Sequence, residues 1–211
     1  MKGKLKLISG QRIESPLTNK TRPTSSKVRE ALINILGNAF EKASWLDLCS
    51  GSGVVACEAL QKGVARILAI EKQRGTAKIC KKNLTQISNK LEHPYHIEVI
   101  CKEMISFLKK GPKNKKIEFI KNFPISEPKF DFVFLDPPYD SDLYELTQEL
   151  LLSEKWVKKS STLILECSSK SLPRIHNGWK LNKEKFYGHT SLFFLTPNQA
   201  LNYFDDTDSM H

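Results

Sequence analysis

Short apolar segments alternate with helix-forming segments along most of this chain. The apolar segments have the length and composition of buried strands, and the stretches between them carry apolar residues at helical spacing. Strands that alternate with helices favour a mostly parallel sheet that is covered by helices on both faces. The pattern therefore predicts an α/β fold whose ligand sites lie at the carboxyl ends of the strands. The predicted parallel strands are residues 44–48, 66–70, 96–100, 130–135 and 162–166.

The two ends of the chain predict different elements. Residues 1–22 begin with alternating apolar and basic side chains and predict a small basic β arm or hairpin. Residues 23–204 hold the alternating segments and predict the main domain, which ends in an antiparallel hairpin of residues 179–186 and 190–195. Residues 205–211 form an acidic tail that we expect to be disordered.

Basic residues outnumber acidic ones, and they cluster. The formal net charge is +10. Residues 1–30 hold eight basic residues against two acidic ones, and residues 107–129 hold seven lysines against two glutamates. Clustered positive charge favours a polyanionic partner such as nucleic acid, although a solvated lysine-rich face is the alternative for either cluster alone. We expect the arm to track phosphates through Lys4, Lys6 and Arg12.

The composition argues against several other classes. The five cysteines are scattered and form no C-x-x-C pair, so neither a zinc site nor a disulfide framework is indicated. No apolar run is long enough to span a bilayer, and the N-terminus lacks the apolar core of a signal peptide. We therefore expect a cytoplasmic protein that needs no metal.

A glycine-rich loop joins the first predicted strand to the next helix. Its glycines allow a tight turn and close approach of a ligand to the backbone, beside the free N–H groups of the helix. The spacing of Gly51, Gly53 and Ala56 also satisfies the dinucleotide fingerprint, so two ligand classes stay open. A carboxylate just before the glycines would repel a pyrophosphate and favour an ammonium group. The loop comprises Asp47, Cys49, Ser50, Gly51, Ser52 and Gly53.

Acidic residues follow the next two strands. Glu71, with Lys72 beside it, ends the second strand, where a carboxylate can accept both ribose hydroxyls of an adenosine. Glu103 and Met104 follow the third strand, where a polar and an apolar side chain can contact an adenine ring. The alternatives are a surface ion pair for Glu71 and a favourable helix-dipole position for Glu103.

The fourth strand ends in an unusual tetrapeptide, Asp136-Pro137-Pro138-Tyr139. The prolines fix the backbone and prevent an ordinary central strand from continuing. The carboxylate of Asp136 and the carbonyl of Pro137 can accept hydrogen bonds from an amino group, and Tyr139 can stack on a planar ring. A proline turn before the next helix is the alternative for the tetrapeptide alone.

The four motifs together favour one chemistry. A dehydrogenase explains the acid after the second strand but leaves the tetrapeptide without a role. Methyl transfer from S-adenosylmethionine to a planar nitrogen gives each motif a role, in chain order as ammonium site, ribose acid, adenine contact and amino-group acceptor.

These residues resemble those of the RsmD-type family of small-subunit (16S) ribosomal RNA guanine-N2 methyltransferases. The resemblance implies a Rossmann-like class I methyltransferase fold with a seven-stranded sheet, S-adenosylmethionine as cofactor, and 16S ribosomal RNA or a small-subunit assembly particle as partner. It also implies that Arg22, Thr24 and Arg29 contact RNA where the arm meets the cofactor site. The matching segments are residues 21–25, 28–32, 34–36, 47–53, 71–72, 136–139 and 186–190.

The chain departs from that family at several points. Cys49 and Ser50 stand where similar sequences usually carry Phe and Ala, Glu103 replaces the commoner Asp, and the lysine-rich residues 112–128 look like an insertion. A monomer is expected because no feature demands an oligomer. The alternative methyl acceptors are an adenine N6 amino group of RNA or DNA and the amide of a protein glutamine. The alternative to an enzyme is a catalytically idle RNA-binding assembly protein.

Overall fold

The computed structural model describes residues 3–16, 23–92, 95–112, 129–138 and 141–200. The chain divides into two compact units, Met1–Met104 and Ile105–His211. The predicted boundaries at residues 22 and 204 stay predictions. The predictions for Arg22, Tyr139, most of the lysine-rich insertion and the acidic tail fall outside the described residues.

The described elements follow the predicted alternation of strands and helices. The strands are β1 (Gly3–Lys6), β2 (Arg12–Ser15), β3 (Ser44–Leu48), β4 (Arg66–Glu71), β5 (His96–Cys101), β6 (Phe130–Leu135), β7 (Val157–Ser168), β8 (Trp179–Tyr187) and β9 (Thr190–Pro197). The helices are α1 (Ser26–Leu36), a 3₁₀ turn (Gly37–Phe40), α2 (Val54–Gln61), α3 (Arg74–Ser88), α4 (Met104–Leu108) and α5 (Ser141–Ser153).

Three parallel strands form the sheet of the first unit, in the order β5-β4-β3. Every residue of β3 is buried, and β4 is buried from its second residue onward. Strands of this kind need apolar side chains on both faces, which is why β4 reads as a continuous run of Ile, Leu, Ala and Ile. The register pairs Asp47 with Ala69, one residue before β3 ends.

Helix α1 begins and ends where its capping residues predict. The Ser25 hydroxyl accepts a hydrogen bond from the Val28 N–H at 3.3 Å, which satisfies one of the free amides of the first turn. The helix ends at Gly37, whose φ of +52° is a conformation that residues with a Cβ rarely adopt. Val28 and Leu32 lie on its buried face, as the apolar spacing predicts.

The N-terminal hairpin of β1 and β2 is attached to α3 by a buried asparagine. Asn83 is completely buried. Its carbonyl oxygen accepts from the Glu14 N–H, and its amide nitrogen donates to the Glu14 carbonyl, both at 2.9 Å. The same nitrogen donates at 2.9 Å to the Ser52 carbonyl in the glycine-rich loop. One side chain of α3 therefore holds both the hairpin and the loop.

The second unit combines a parallel and an antiparallel pairing. Strand β6 pairs with β7 in parallel, and β9 pairs antiparallel with both β7 and β8. Strand β7 is longer than predicted because a bulge lets it continue past a shift in register. Ser161 supports this bulge: its hydroxyl accepts from the Lys158 N–H at 2.8 Å and donates to the Phe130 carbonyl at 2.6 Å.

Aromatic packing fills the core of this unit around Trp156. The indole is fully buried, and its ring centroid lies 4.8 Å from that of Phe107 and 6.3 Å from that of Phe130. Its N–H donates to the Leu108 carbonyl at 2.9 Å, so that the large apolar ring is buried without an unsatisfied polar atom.

The predicted fold class is confirmed. Strands β3 to β9 form a mostly parallel seven-stranded sheet, with helices between the strands and an antiparallel hairpin at the C-terminus. The predicted bounds of β3 and β6 match the structure.

Replacing Asn83 tests the attachment of the hairpin. Asn83→Ala removes one buried and two partly buried hydrogen bonds and leaves their backbone partners without this side chain, so we expect the free energy of unfolding to fall by about 2–4 kcal/mol. Urea unfolding measures this loss, and limited proteolysis within residues 1–22 reports release of the hairpin. Gln86→Ala is the control on the same helix, because it removes one exposed hydrogen bond to the Arg12 carbonyl. Equal effects of the two substitutions would contradict the role of Asn83.

Candidate functional site

The loop between β3 and α2 is held in place by the carboxylate of Glu71. One carboxylate oxygen accepts from the Gly51 N–H at 3.0 Å, and the other accepts from the Gln73 N–H at 2.8 Å. Because each carboxylate oxygen has two lone pairs, both oxygens can still accept a further hydrogen bond. Glu71 is buried and ends β4. Its carboxylate therefore fixes both the loop after β3 and the start of α3 after β4.

The loop uses positive φ angles at three of its positions. Gly51 and Gly53 have φ of +54° and +74°, and Cys49 has φ of +65° although it carries a side chain. A non-glycine residue in this region stores strain of about 1 kcal/mol or more, and such strain is found at binding sites. A Cβ at Gly51 would meet nothing within 4 Å, so space beside this backbone is open.

Gly53 is fixed by a close neighbour from α3. A Cβ on Gly53 would lie 2.7 Å from the Cys80 Sγ, which is closer than side chains tolerate. Cys80 is fully buried, and it accepts a hydrogen bond from the Ser50 hydroxyl at 3.6 Å. Burial raises the pKa of Cys80 to about 12, the Ser50 hydroxyl lowers it, and the nearby Asp47 and Glu71 carboxylates raise it. Cys80 is therefore a neutral packing residue beneath the loop.

The other predicted cofactor residues differ in their exposure. Asp47 is almost completely buried near the end of β3, and Ser52 is also buried. Met104 is buried, with its sulfur 3.7 Å from the Cys49 sulfur. Lys72 and Glu103 are exposed. The structure thus brings Met104 and Glu71 to the glycine-rich loop, while the predicted roles of all these residues stay predictions.

The Asp-Pro-Pro segment lies at the end of β6 in the second unit. Asp136 is half-buried, Pro137 is buried and Pro138 is exposed. Burial is the main cause that raises the pKa of Cys167 on β7. The nearby charges of Glu166 and Asp136 raise it further. The resulting pKa of about 12 keeps Cys167 neutral.

Tyr144 braces the strand beside this segment. Its hydroxyl, on α5, donates to the Glu166 carbonyl at 2.7 Å. This bond joins the helix that follows the segment to the strand that neighbours it, and both groups are buried. The hydrogen bond therefore links the two elements on either side of the Asp-Pro-Pro segment.

The predicted RNA-contacting residues fall into two groups. Lys4, Lys6 and Arg12 are exposed on the hairpin, where they are accessible to a partner. Thr24 and Arg29 are buried, which corrects the expectation that they contact RNA directly. A side chain that is enclosed by protein and bound to other groups does not reach a phosphate.

Arg29 instead holds the hairpin against two helices. Its guanidinium forms an ion pair with Glu58 on α2 and donates to the Thr24 carbonyl at 3.2 Å and the Lys6 carbonyl at 2.9 Å. Glu58 also accepts from the Ile8 N–H at 2.9 Å. Burial raises the pKa of Glu58, and the Ile8 N–H and Arg29 oppose that shift.

Sequence reasoning missed three residues that organise this region: Glu58, Cys80 and Asn83. Two of them left a signal. Asn83 lies on the face of α3 that carries Ala77, Cys80, Leu84 and Ile87, and a polar residue on an apolar face predicts a buried hydrogen-bonding role. Glu58 likewise interrupts the apolar run of α2 from Val54 to Leu60. Nothing in the sequence indicates that the Cys80 sulfur abuts Gly53.

The structure contributes two negative findings. Across the described ranges, no helix has both the length and the apolar character needed to cross a membrane. Within the same part of the chain, no three potential metal-binding side chains come together.

Gly53→Ala tests the close contact with Cys80. The positive φ and the clash together predict a loss of about 2–4 kcal/mol in the free energy of unfolding. The double variant Gly53→Ala with Cys80→Ala removes the clashing sulfur, so its loss should be smaller than the sum of the two single losses. Gly75→Ala in α3 is the control, since it has open space and an ordinary φ and should leave stability unchanged or raised. Additive losses would contradict the proposed contact.

The buried ion pair of Arg29 and Glu58 predicts that substitutions at these two residues have strongly coupled effects on stability. Arg29→Met or Glu58→Leu alone leaves an uncompensated buried charge and should lower the free energy of unfolding by about 3–5 kcal/mol. Combining the two should recover much of that loss, because no charge stays buried. Denaturant unfolding of the four proteins of this cycle gives the coupling energy. Lys82→Met and Glu14→Leu at the exposed Lys82–Glu14 pair form the control cycle, for which a coupling below about 1 kcal/mol is expected.

Comparison with known proteins places the chain among methyltransferases. A Haemophilus influenzae protein named ribosomal RNA small subunit methyltransferase D is 32% identical over 195 residues, covering 90% of this chain and 92% of the relative. An Escherichia coli protein of the same name is 28% identical over 195 residues, covering 90% of this chain and 88% of the relative. A solved Escherichia coli structure assigned as a methyltransferase matches with a TM-score of 0.73 and 25% identity over 92% of this chain and 98% of that one.

The family match extends over nearly all of the described chain. The model of the family described as conserved hypothetical protein 95 matches residues 3–196, which include the hairpin, the glycine-rich loop, the Asp-Pro-Pro segment and the C-terminal strands. The resemblance inferred from the motifs is confirmed. The chain therefore belongs to the conserved hypothetical protein 95 family, which is the RsmD-type methyltransferase family that its motifs resemble.

Proposed function

We propose that this protein transfers a methyl group from S-adenosylmethionine to the N2 amino group of a guanine in small-subunit (16S) ribosomal RNA. The observation that carries the proposal is the match along almost the whole chain to a family whose relatives are named ribosomal RNA small subunit methyltransferase D. The basic hairpin supports an RNA partner, either the free RNA or a small-subunit assembly particle. Action as a monomer in the cytoplasm is part of the proposal.

The residues around the glycine-rich loop fit an S-adenosylmethionine molecule. Asp47 supplies a buried carboxylate for the ammonium group, and Glu71 has acceptor capacity left for the ribose hydroxyls. The open space beside Gly51 allows a ligand to approach the backbone. Met104 offers an apolar surface for the adenine ring, and Glu103 a polar side chain for its amino group. When bound, the cofactor supplies an electrophilic methyl group on a sulfonium sulfur.

The Asp-Pro-Pro-Tyr segment is assigned to the acceptor base. The lone pair of a guanine N2 amino group is delocalised into the ring, which makes the nitrogen a poor nucleophile. We assign the Asp136 carboxylate and the Pro137 carbonyl to accept hydrogen bonds from its two N–H groups. These hydrogen bonds would orient the lone pair towards the methyl group. The N–C bond forms as the bond between the methyl carbon and the sulfonium sulfur breaks, and the nitrogen then loses one proton, which Asp136 accepts or passes to water. Tyr139 is assigned to stack on the base.

The amino group must leave the RNA base stack to reach such a segment. A base in a loop or bulge unstacks at the lowest cost, so the modified guanine is expected in one. The hairpin would then hold the phosphates on either side of it.

The function is tested by methyl transfer onto small ribosomal subunits that lack the modification. Labelled S-adenosylmethionine, digestion of the RNA to nucleosides and identification of the labelled base give the product. N2-methylguanosine is the expected result, and N6-methyladenosine, label in protein or no transfer would contradict the proposal.

Asp136→Asn tests the role of the carboxylate in the transfer. Loss of a charged hydrogen bond of about 1.5–3 kcal/mol in the transition state predicts a turnover roughly 10- to 100-fold lower. Cofactor affinity measured by calorimetry should stay within about threefold, because Asp136 is assigned to the base. Asp142→Asn, the same chemical change in the first turn of α5, is the control and should leave turnover unchanged. Normal turnover of Asp136→Asn with cofactor bound would show that the assigned role is wrong.

A further inference from the structure

The exposed face of α3 carries positive charge, and the helix contains no acid of its own. Its sequence, residues 74–88, contains four basic residues and no acidic residue. Arg74, Lys78 and Lys81 follow one another at helical spacings of four and three residues, and all three are exposed. They span about 10 Å of the helix, the axial length of about three phosphates on one strand of a duplex. We call these three residues the α3 stripe.

This arrangement of charge is unfavourable for the helix itself. Like charges at spacings of three and four residues repel one another and weaken a helix. Positive charges near a helix N-terminus also oppose the helix dipole, and Arg74 is the first residue of α3. A surface selected only for stability would place acids in this first turn, which has none. The arrangement therefore costs helix stability, and a polyanionic partner would offset that cost.

The α3 stripe continues into the hairpin. Lys82, next to the stripe, forms an ion pair with Glu14 on β2, and Gln86, one turn further, donates to the Arg12 carbonyl at 3.0 Å. On the hairpin, Lys4 lies opposite Glu14, and Lys6 lies opposite Arg12. Because alternate residues of a strand share a face, these side chains lie on one face of the hairpin.

The opposite face of the hairpin is the one that packs. Ile13 is buried, and its partner Leu5 is partly buried. The hairpin thus turns its charged face outward, and Glu14 at the border with α3 is the one acid in β1 and β2.

We propose that the α3 stripe and the outer face of the hairpin form one continuous surface that binds the RNA phosphate backbone. Resting on the proposed function, this inference extends the RNA contact from the hairpin to α3. Asn83 keeps the two parts in register, because it binds the Glu14 backbone from within α3.

The surface is tested with the triple variant Arg74→Ala, Lys78→Ala and Lys81→Ala in the full-length protein. The probe is protein-free 16S ribosomal RNA, with affinity measured over a salt series on the order of 50 to 300 mM. Loss of three phosphate contacts should lower affinity about tenfold or more near physiological salt and reduce the slope of log affinity against log salt by about 2. Thermal stability should be equal or higher, because the removed charges repel one another.

The control triple removes the same charge from another exposed element. Lys180→Ala, Lys183→Ala and Lys185→Ala lie on β8 of the second unit and are exposed. Equal losses of affinity in the two triples would show a general effect of net charge and overturn the proposal. An unchanged salt slope in the α3 triple would overturn it as well.

Glu14→Gln provides a test in the opposite direction. The substitution keeps the backbone bonds to Asn83 but removes the acid at the border and releases Lys82. RNA affinity should rise severalfold, and a fall would contradict a phosphate-binding surface at this point.

Methyl transfer by the wild-type protein separates this inference from the proposed function. If the protein methylates guanine but the α3 triple binds RNA like the wild type, the surface is wrong and the function stands. If RNA affinity depends on the α3 stripe but the wild type yields no N2-methylguanosine, the function is wrong and the surface stands.

Discussion

The Glu71 carboxylate is the interaction on which the first unit depends. It binds one backbone N–H in the glycine-rich loop and another at the start of α3, so that two chain segments after neighbouring strands are fixed by one side chain. A charged acceptor on a backbone amide is among the stronger hydrogen bonds available to a protein. The strain of the positive φ at Cys49 is sustained because the loop around it is held in this way.

A second set of buried polar groups attaches the hairpin. Asn83 binds it from α3, and the Arg29–Glu58 pair binds it from α1 and α2. Buried ion pairs add little net stability relative to apolar packing, but removal of one partner is costly. Such groups therefore favour one position of the hairpin over others, which is what a surface that must present cations in a fixed arrangement requires.

Local pattern predicted most elements but not the roles of several polar residues. The bounds of β3 and β6 followed from their apolar runs, and α1 from its Ser25 cap and the glycine after it. The full length of β7 was not predicted from its apolar run, because it depends on Ser161, which bridges a bulge between strands distant in sequence. The family resemblance implied that Arg29 contacts RNA, but a motif match does not distinguish a solvated arginine from one that pairs with Glu58 in the interior.

The sequence by itself determined the alternation of strands and helices, the chemical types at the strand ends and the excess of positive charge. Those properties are local, because they depend on spacing and residue type. Only the tertiary structure decided which acid holds the loop, which arginine is buried and which cations share a face. Those outcomes depend on contacts between residues that are distant in the chain, such as Asn83 and Glu14, which are 69 positions apart. Packing and desolvation select those contacts, and the pattern along the chain does not identify the two partners.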